Sequence, residues 1–254
     1  HQRILDRVRS EALRLKLPAL VFSFEPTPQE AMHPEQAPAR LMHFRDKLSY
    51  LQATGIDSFF CPPFDHGLRD CLPEEFIDRL LVRTLAVRHL VIGDDFRFGR
   101  GRAGNIDALQ AGGRRYGFDV EQVGSVIQNG VRVSSTAVRA ALAAGNLAHA
   151  RELLGRNYRM SGRVVAGRQL GRQLGFPTAN IRLQRRQSAL AGIFAVRIHG
   201  LDAKPLDGVA SLGTRPTVAG IEPLLEVHVF DFDADIYRRR IAVEFVAHLR
   251  NEER

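Results

Sequence analysis

Two hydrophobic rhythms divide the chain near residue 155. In the first part, apolar residues recur every three to four positions, as at Ile4, Val8 and Leu15, and such stretches alternate with short apolar runs. The first pattern predicts amphipathic helices, and the runs predict buried strands. We therefore expect residues 1–155 to form a parallel sheet covered by helices.

The predicted elements of this part alternate along the chain. Pro73 with acids in the following turn is a typical helix start. Ligands of parallel sheets bind beyond the carboxyl ends of the strands, so we expect a site in the loops 24–28, 93–105 and 134–139. After the helical stripe at 4–15, helices are expected at 39–55, 73–86 and 105–116, and strands at 17–24, 56–60, 88–95 and 118–123.

From about residue 157 the pattern changes to short strands separated by Gly, Pro and Asp. This spacing, without a long helical pattern between strands, predicts an antiparallel sheet or small barrel over 156–254. The segment 151–158 is the expected boundary between the two parts. The strand-like segments are 158–167, 191–200, 207–213, 224–232 and 239–250.

Composition narrows the class of protein. The chain of 254 residues is 44% hydrophobic, and none of its apolar runs reaches the length of about 18 residues that suggests a membrane span. The first residues lack the apolar centre of a secretory signal. Cys61 and Cys71 are too few for a disulfide framework, so we expect reduced thiols and a cytoplasmic location.

The charge balance indicates an anionic partner. Net charge is +8, and only three of the 36 Lys and Arg residues are Lys. Arginine binds phosphates bidentately, and a basic balance is also typical of nucleic-acid-binding proteins. Charge alone therefore does not choose between RNA and a nucleotide.

The stretch GRQLGRQLGFPTAN at 167–180 predicts a loop built around its backbone. Three glycines spaced by four residues would weaken a helix, but they let N–H groups approach and cradle an anion. Thr178 and Asn180 lie on one side of the extended exit, and Ala179 lies on the other. Their oxygens suit Mg²⁺ and phosphate. A glycine-rich turn into a strand is the alternative interpretation, and the segment lacks the Walker A sequence.

The segment 224–232 predicts a strand with a carboxylate on one face. Glu226 and His228 alternate with the apolar Leu225, Val227 and Val229. A Glu in an apolar strand is costly to bury without a partner or a task. It either pairs with one of the arginines or acts as a general base beside the loop at 167–180.

The segment SSTAVR at 134–139 predicts the start of a helix. Its Ser and Thr residues can cap the first N–H groups, and the same helix end attracts phosphate. Arg139, one turn further, either faces the phosphate or faces solvent.

Together these motifs resemble bacterial bifunctional riboflavin kinase/FMN adenylyltransferases, also called FAD synthetases. GRVVAGRQLGRQLGFPTANI, GVASLGTRPT, LEVHVFDFDADIY and VEFVAHLR resemble the riboflavin kinase module. GDDFRFGRGRAGN and VSSTAVRAAL resemble the FMN adenylyltransferase module. The resemblance implies a Rossmann-like nucleotidyltransferase domain at 1–155 without its first strand, followed by a β-barrel kinase domain at 156–254 without its C-terminal helix. Arg238 departs from the family, which usually has Gly after the Tyr at this place.

For the kinase, the resemblance implies phosphorylation of riboflavin to FMN with ATP. Glu226 would be the base, and Thr178 and Asn180 would hold the ATP-bound Mg²⁺. Arg250 would contact the flavin phosphate, or it is a solvated terminal arginine. The residues expected to bind the ATP phosphates are Gly162, Gly167, Gly171, Gly175 and Pro177.

For the adenylyltransferase, the resemblance implies attack of the FMN phosphate on the α-phosphate of a second ATP, which gives FAD and pyrophosphate. Asp95, Phe96 and Phe98 would contact the flavin, although both Phe residues could equally belong to the core, and Asp94 is a capping alternative to Asp95. The residues expected at the triphosphate are His1, Ser134, Ser135, Thr136 and Arg139.

Two other functions compete with this one. The chain could be a riboflavin kinase whose first domain is inactive. It could also be a basic RNA-binding protein, but that would need aromatic and cationic side chains interleaved on one sheet face. We expect small-molecule partners, with no nucleic acid and no membrane, and the sequence does not predict an oligomeric state.

Overall fold

The structure is a computed structural model that describes residues 1–166, 178–183, 186–217 and 220–251. Its contacts group into two units. The first comprises His1–Ala37 and Phe44–Val126, and the second comprises Pro38–His43 and Ile127–Arg254.

The first unit alternates helices with parallel strand pairs. Strands β1 and β2 pair in parallel, as do β3 and β4, which confirms the predicted parallel architecture. Its core includes Phe76, Leu81 and Leu109. Its elements are α1 (Gln2–Leu15), β1 (Leu20–Phe22), α2 (Pro28–Met32), α3 (Phe44–Ala53), β2 (Ser58–Phe60), α4 (His66–Asp70), α5 (Pro73–Glu75), a π-helix (Phe76–Thr84), β3 (His89–Gly93), a 3-10 turn (Arg100–Arg102), α6 (Ile106–Tyr116) and β4 (Asp119–Val123).

Two helix predictions for the first part need correction. The helix expected at 39–55 covers only Phe44–Ala53, because residues 39–43 form tertiary contacts in the second unit instead of continuing the helix. The helix expected at 73–86 begins as predicted at Pro73 but continues from Phe76 as a π-helix. Apolar periodicity does not distinguish these hydrogen-bonding patterns over so short a segment.

The second unit is a closed six-stranded barrel with a hairpin and two helices before it. Barrel order is β10-β11-β8-β7-β12-β9, and every pairing is antiparallel, which confirms the predicted barrel. Its elements are β5 (Ile127–Gln128), β6 (Val131–Arg132), α7 (Ser135–Ala143), α8 (Leu147–Leu154), β7 (Arg159–Val165), β8 (Ala179–Arg182), β9 (Gly192–His199), β10 (Leu206–Thr217), β11 (Gly220–Val229) and β12 (Arg240–Arg250).

The helices α7 and α8 share the core of the barrel. Leu142 and Leu153 belong to the same buried cluster as Phe194 and Phe245 of the strands. By contacts, the second unit therefore includes the chain from Ile127 onward. A functional division at residue 155 remains a prediction.

Inward and outward residues alternate along the barrel strands. In β11, Leu225, Val227 and Val229 are buried, whereas Glu226 and His228 are only partly buried. This confirms the two faces predicted for the strand and places Glu226 on the outer surface.

A polar cluster on the outer surface of the barrel links three of its strands. Glu244 of β12 accepts hydrogen bonds from Asn157 at 2.8 Å and from Arg159 of β7 at 2.7 Å. His199 Nε2 of β9 lies 2.8 Å from the same carboxylate. Burial by itself would raise the pKa of Glu244, but the contacts with Asn157, Arg159 and His199 outweigh it and lower that pKa to about 2.

Candidate active sites

A row of side chains crosses the outer face of the barrel. Asn180 of β8 pairs directly with Glu226 of β11, and Glu226 pairs with Ser211 of β10. The Cβ atoms of directly opposed antiparallel residues lie about 5 Å apart on the same face. The register therefore makes an amide, a carboxylate and a hydroxyl neighbours.

The predicted kinase residues of this row differ in exposure. Asn180 is only 7% exposed although it lies on the outer face, and Glu226 is half-buried. Thr178 is exposed and lies directly before β8, two residues before Asn180. The strand alternation therefore places Thr178 on the same face as Asn180. Ala179 and Ile181 of the same segment are buried in the core. The structure thus brings together the three residues that were predicted to act in catalysis.

Arg250 belongs to the same row but lies farther away. It pairs with Ile193 of β9, which pairs with Ser211. Three strand spacings therefore separate Arg250 from Glu226, about 14 Å along the curved sheet. Its exposed side chain contacts the same ligand as Glu226 only if that ligand spans the row.

The glycines predicted to bind phosphate fall into two groups. Gly162 lies inside β7 and is buried, and a Cβ at this position would come within 2.4 Å of Ile181 and 2.6 Å of the Arg182 carbonyl oxygen. Close packing of strands explains this glycine, and a phosphate contact remains a prediction. Gly167, Gly171, Gly175 and Pro177 lie outside the described residues.

The start of α7 has the predicted cap. The Ser134 Oγ accepts a hydrogen bond from the backbone N–H of Ala137 at 3.1 Å, so the capping interpretation holds for this hydroxyl. Ser135 and Thr136 are exposed in the first turn, where backbone N–H groups attract anions. Their contact with ATP remains a prediction.

Arg139, one turn further along α7, does not simply face solvent. Its Nε donates a 2.7 Å hydrogen bond to the carbonyl oxygen of Ala39, and the side chain is half-buried. Burial lowers the pKa of the guanidinium, and the nearby Tyr158 partly opposes this shift. The group stays charged, because an arginine pKa lies far above neutral pH.

The predicted flavin contacts of the first unit divide into core and surface residues. Phe98 is 6% exposed, and its ring lies 4.9 Å from that of Phe76, so it is a core residue. Phe96 stacks on Phe98 at 5.7 Å and is partly exposed. Asp94 accepts hydrogen bonds from both the backbone N–H and the hydroxyl of Ser125. Asp94 and Asp95 are both exposed, and a flavin contact of Asp95 remains a prediction.

His1 stands at the start of α1, where its carbonyl oxygen accepts a hydrogen bond from the Leu5 N–H. By contacts, His1, Asp95 and Phe96 belong to the first unit, and the segment 134–139 belongs to the second. Their assembly into one adenylyltransferase site remains a prediction.

Sequence reasoning missed two features near these residues. Ser211 is adjacent to Glu226 only through the strand register, and the alternation in VASLG would have identified its face once the pairing was known. The contacts of residues 38–43 with the second unit have no local sequence signal.

The donor chemistry of the row suits a metal that is shared with a substrate. Among the described residues, the structure has no group of three or more His, Cys, Asp or Glu placed to hold a metal ion. Thr178 and Asn180 offer a hydroxyl and an amide oxygen, and Mg²⁺ commonly takes only one or two protein ligands together with nucleotide phosphates. These residues therefore fit an ATP-bound Mg²⁺.

In the described parts of the chain, every helix is too short or too polar to span a bilayer.

Comparison with known proteins gives two domain matches. The family model described as FAD synthetase matches residues 1–137, and the one described as riboflavin kinase matches residues 154–254.

Similar proteins match along the whole chain. A bifunctional riboflavin kinase/FMN adenylyltransferase of Escherichia coli (strain K12) is 48% identical over 100% of this chain and 81% of that protein. Proteins with the same description from Pseudomonas fluorescens and Haemophilus influenzae are 47% and 45% identical, over 100% and 99% of this chain and 81% and 82% of theirs. A crystal structure described as a macrolide-efflux protein from Streptococcus pneumoniae is 25% identical, with a TM-score of 0.83, over 100% of this chain and 83% of that one.

Proposed function

The chain belongs to the family of bifunctional riboflavin kinase/FMN adenylyltransferases, and we propose that it phosphorylates riboflavin with ATP and then adenylylates the FMN product with a second ATP to form FAD. Both domain matches and the identity over the full chain support the two activities. The direct pairing of Asn180 with Glu226 is the structural observation that carries the kinase proposal.

In the kinase reaction, Glu226 acts as the general base. Its carboxylate accepts the proton of the terminal ribityl hydroxyl, and that oxygen forms a bond to the γ-phosphorus of ATP. The bond between the γ-phosphorus and the β,γ-bridging oxygen breaks, and ADP leaves. Phosphoryl transfer requires mainly positioning and charge stabilisation, which suits a row with a single carboxylate.

Thr178 and Asn180 would hold an ATP-bound Mg²⁺ at the nucleotide end of this site. When bound, the ion would supply positive charge to the phosphate oxygens on which negative charge develops. The burial of Asn180 fixes the direction of its amide, because a packed side chain has few alternative rotamers. Ser211, on the other side of Glu226, is placed to orient the carboxylate.

In the adenylyltransferase reaction, an FMN phosphate oxygen forms a bond to the α-phosphorus of ATP, and pyrophosphate leaves. In the second unit, the N–H groups at the start of α7 and the Arg139 side chain stabilise the triphosphate. Asp95 and Phe96 contact the flavin, and Phe98 supports the ring of Phe96 from the core.

We propose the cytoplasm as the compartment of the protein, since Cys61 and Cys71 are both free thiols.

The variant Glu226→Gln tests the kinase role. Loss of a general base typically costs about 10²-fold or more in turnover, so formation of FMN from riboflavin should fall by at least that factor. Formation of FAD from supplied FMN should be unchanged, and separation of the flavin products measures both rates.

Glu152→Gln, an exposed carboxylate on α8, is the matched control and should leave both rates unchanged. Near-normal FMN production by Glu226→Gln would refute its role as the base. Production of FMN without FAD by the unmodified protein would instead support a riboflavin kinase with an inactive first domain.

A further inference from the structure

Residues Pro38–His43 interrupt the first unit in sequence but belong by contacts to the second. We call these six residues the strap. The sequence places them between α2 and α3, on the adenylyltransferase side of the chain. Their contacts with α7, with the segment before the barrel and with the end of β8 all lie within the second unit.

The first part of the strap is fixed to the helical side of the second unit. The Ala39 carbonyl oxygen accepts the 2.7 Å hydrogen bond from Arg139 of α7. Arg156, which precedes the barrel, places a guanidinium nitrogen 3.3 Å from the sulfur of Met42. Ala39 and Leu41 also pack against the core of the barrel. Polar and apolar contacts together therefore hold the backbone of the strap.

The last residue of the strap reaches the strand that carries the kinase motif. The ring Nε2 of His43 hydrogen-bonds to the carbonyl oxygen of Leu183. Since a carbonyl only accepts, Nε2 must carry the proton. Leu183 follows β8 directly, and its side chain is only 2% exposed.

Strand β8 is short, so each contact at its end matters. It has four residues, with three register pairs to β7 and three to β11. Asn180 lies three residues before Leu183, and Thr178 lies two residues before Asn180. Because Mg²⁺ demands near-ideal positions of its ligands, a displacement of about 1 Å in Thr178 and Asn180 would weaken binding of the ATP-bound ion.

We propose that His43 is a positioning residue of the kinase site, acting through the Leu183 carbonyl to hold β8 and thereby Thr178 and Asn180. This inference rests on the proposed kinase function. A side chain from the adenylyltransferase part of the sequence thus tunes the affinity of the other activity for its nucleotide.

Three full-length variants test this role. His43→Phe keeps an aromatic ring but removes the donor, whereas His43→Gln keeps an N–H donor at similar reach. His149→Phe removes a partly exposed histidine ring on α8 and is the matched control. The measurements are kcat and KM for ATP with Mg²⁺ in FMN formation, the rate of FAD formation from supplied FMN, and the thermal unfolding midpoint.

For His43→Phe we expect a rise of about 5- to 10-fold in the KM for ATP, the size of effect associated with one lost hydrogen bond. The kcat should change less, because Glu226 is on another strand, and FAD formation from FMN should be unaffected. His43→Gln should restore the KM to within about twofold of the original value, and His149→Phe should not change it.

Two results would overturn the inference. One is an unchanged KM for ATP in His43→Phe. The other is an equal loss of both activities in His43→Phe together with a lowered unfolding midpoint and no rescue by His43→Gln, which would indicate a structural role alone. Failure of the unmodified protein to form FMN would contradict the proposed function itself, so the two failures are distinguishable.

Discussion

Arg238 adopts a left-handed backbone conformation, with φ of +66°. Its backbone N–H nevertheless donates a 3.0 Å hydrogen bond to the Val164 carbonyl oxygen, so the turn before β12 forms in spite of the side chain. A residue with a Cβ pays about 1–2 kcal/mol for this conformation, and glycine does not. The departure from the family pattern at Arg238 therefore costs stability but preserves the turn.

Replacing this residue should stabilise the protein. Arg238→Gly relieves the backbone strain while losing some chain entropy, so we expect a net gain of about 0.5–1 kcal/mol in the free energy of unfolding. Denaturant unfolding measures the change. Arg238→Ala removes the same charge but retains a Cβ, so it should gain little, and an equal gain in both variants would show that charge was the cause.

The sequence predicted the position of a single residue where the two faces of its strand differ in polarity. Glu226 and its apolar neighbours could be assigned to faces, because strand geometry alternates strictly. Phe98 could not be assigned, since a phenyl ring suits both a core and a flavin, and only its burial distinguishes them. Asp94 and Asp95 are identical in chemistry, and the bonds to Ser125 distinguish them in the structure.

At the scale of elements, the start of α7 serves as both a cap and a candidate phosphate site. Thr136 is exposed in the first turn and is separate from the Ser134 cap. An acid at this position interacts favourably with the helix dipole by about 0.3–1 kcal/mol, yet it repels a bound triphosphate. One substitution can therefore separate a structural role from a functional one.

Thr136→Asp should lower adenylyltransferase activity without weakening the fold. We expect FAD formation from FMN to fall at least about 10-fold, since 1.4 kcal/mol of like-charge repulsion already has that effect. FMN formation and the unfolding midpoint should be unchanged or, for the midpoint, slightly raised. The neutral Thr136→Asn is the matched control, and equal activity of the two variants would argue against a phosphate at this helix end.

Elements were predictable where their pattern was local. The helix at 105–116 and the strand at 118–123 agree with α6 and β4 to within a residue or so, because amphipathic periodicity and strand alternation are encoded there directly. Residues 39–43 of the strap were predicted as part of a helix because their apolar residues continue the pattern of α3. Contacts with Arg139, far away in sequence, override that local preference.

At the scale of the whole molecule, acid should strongly lower the stability of a protein with a net charge of +8 at pH 7. Protonation of carboxylates adds to the positive charge and removes ion pairs. Glu244 is notable because its pKa of about 2 lies well below the ordinary value of 4.5, and its partners join β7, β9 and β12. The carboxylate therefore keeps its charge, and its contacts, in acid that neutralises ordinary glutamates.

A lowered pKa in the folded state gives a definite pH dependence. The contribution of Glu244 to stability is complete above pH 4.5 and is lost as the pH falls towards 2. It amounts to roughly 3 kcal/mol, at 1.36 kcal/mol for each pKa unit between 4.5 and about 2. Glu244→Gln should therefore be less stable than the unmodified protein at pH 7, and this difference should shrink between pH 4.5 and 2. Hydrogen exchange of the β7, β9 and β12 amides measures this difference in stability at the strands concerned.

The matched control is Glu152→Gln, whose parent side chain is exposed on α8, and its difference in stability from the unmodified protein should stay small at every pH. If the gap between Glu244→Gln and the unmodified protein were constant across this range, the cluster would act through packing and not through the charge of Glu244.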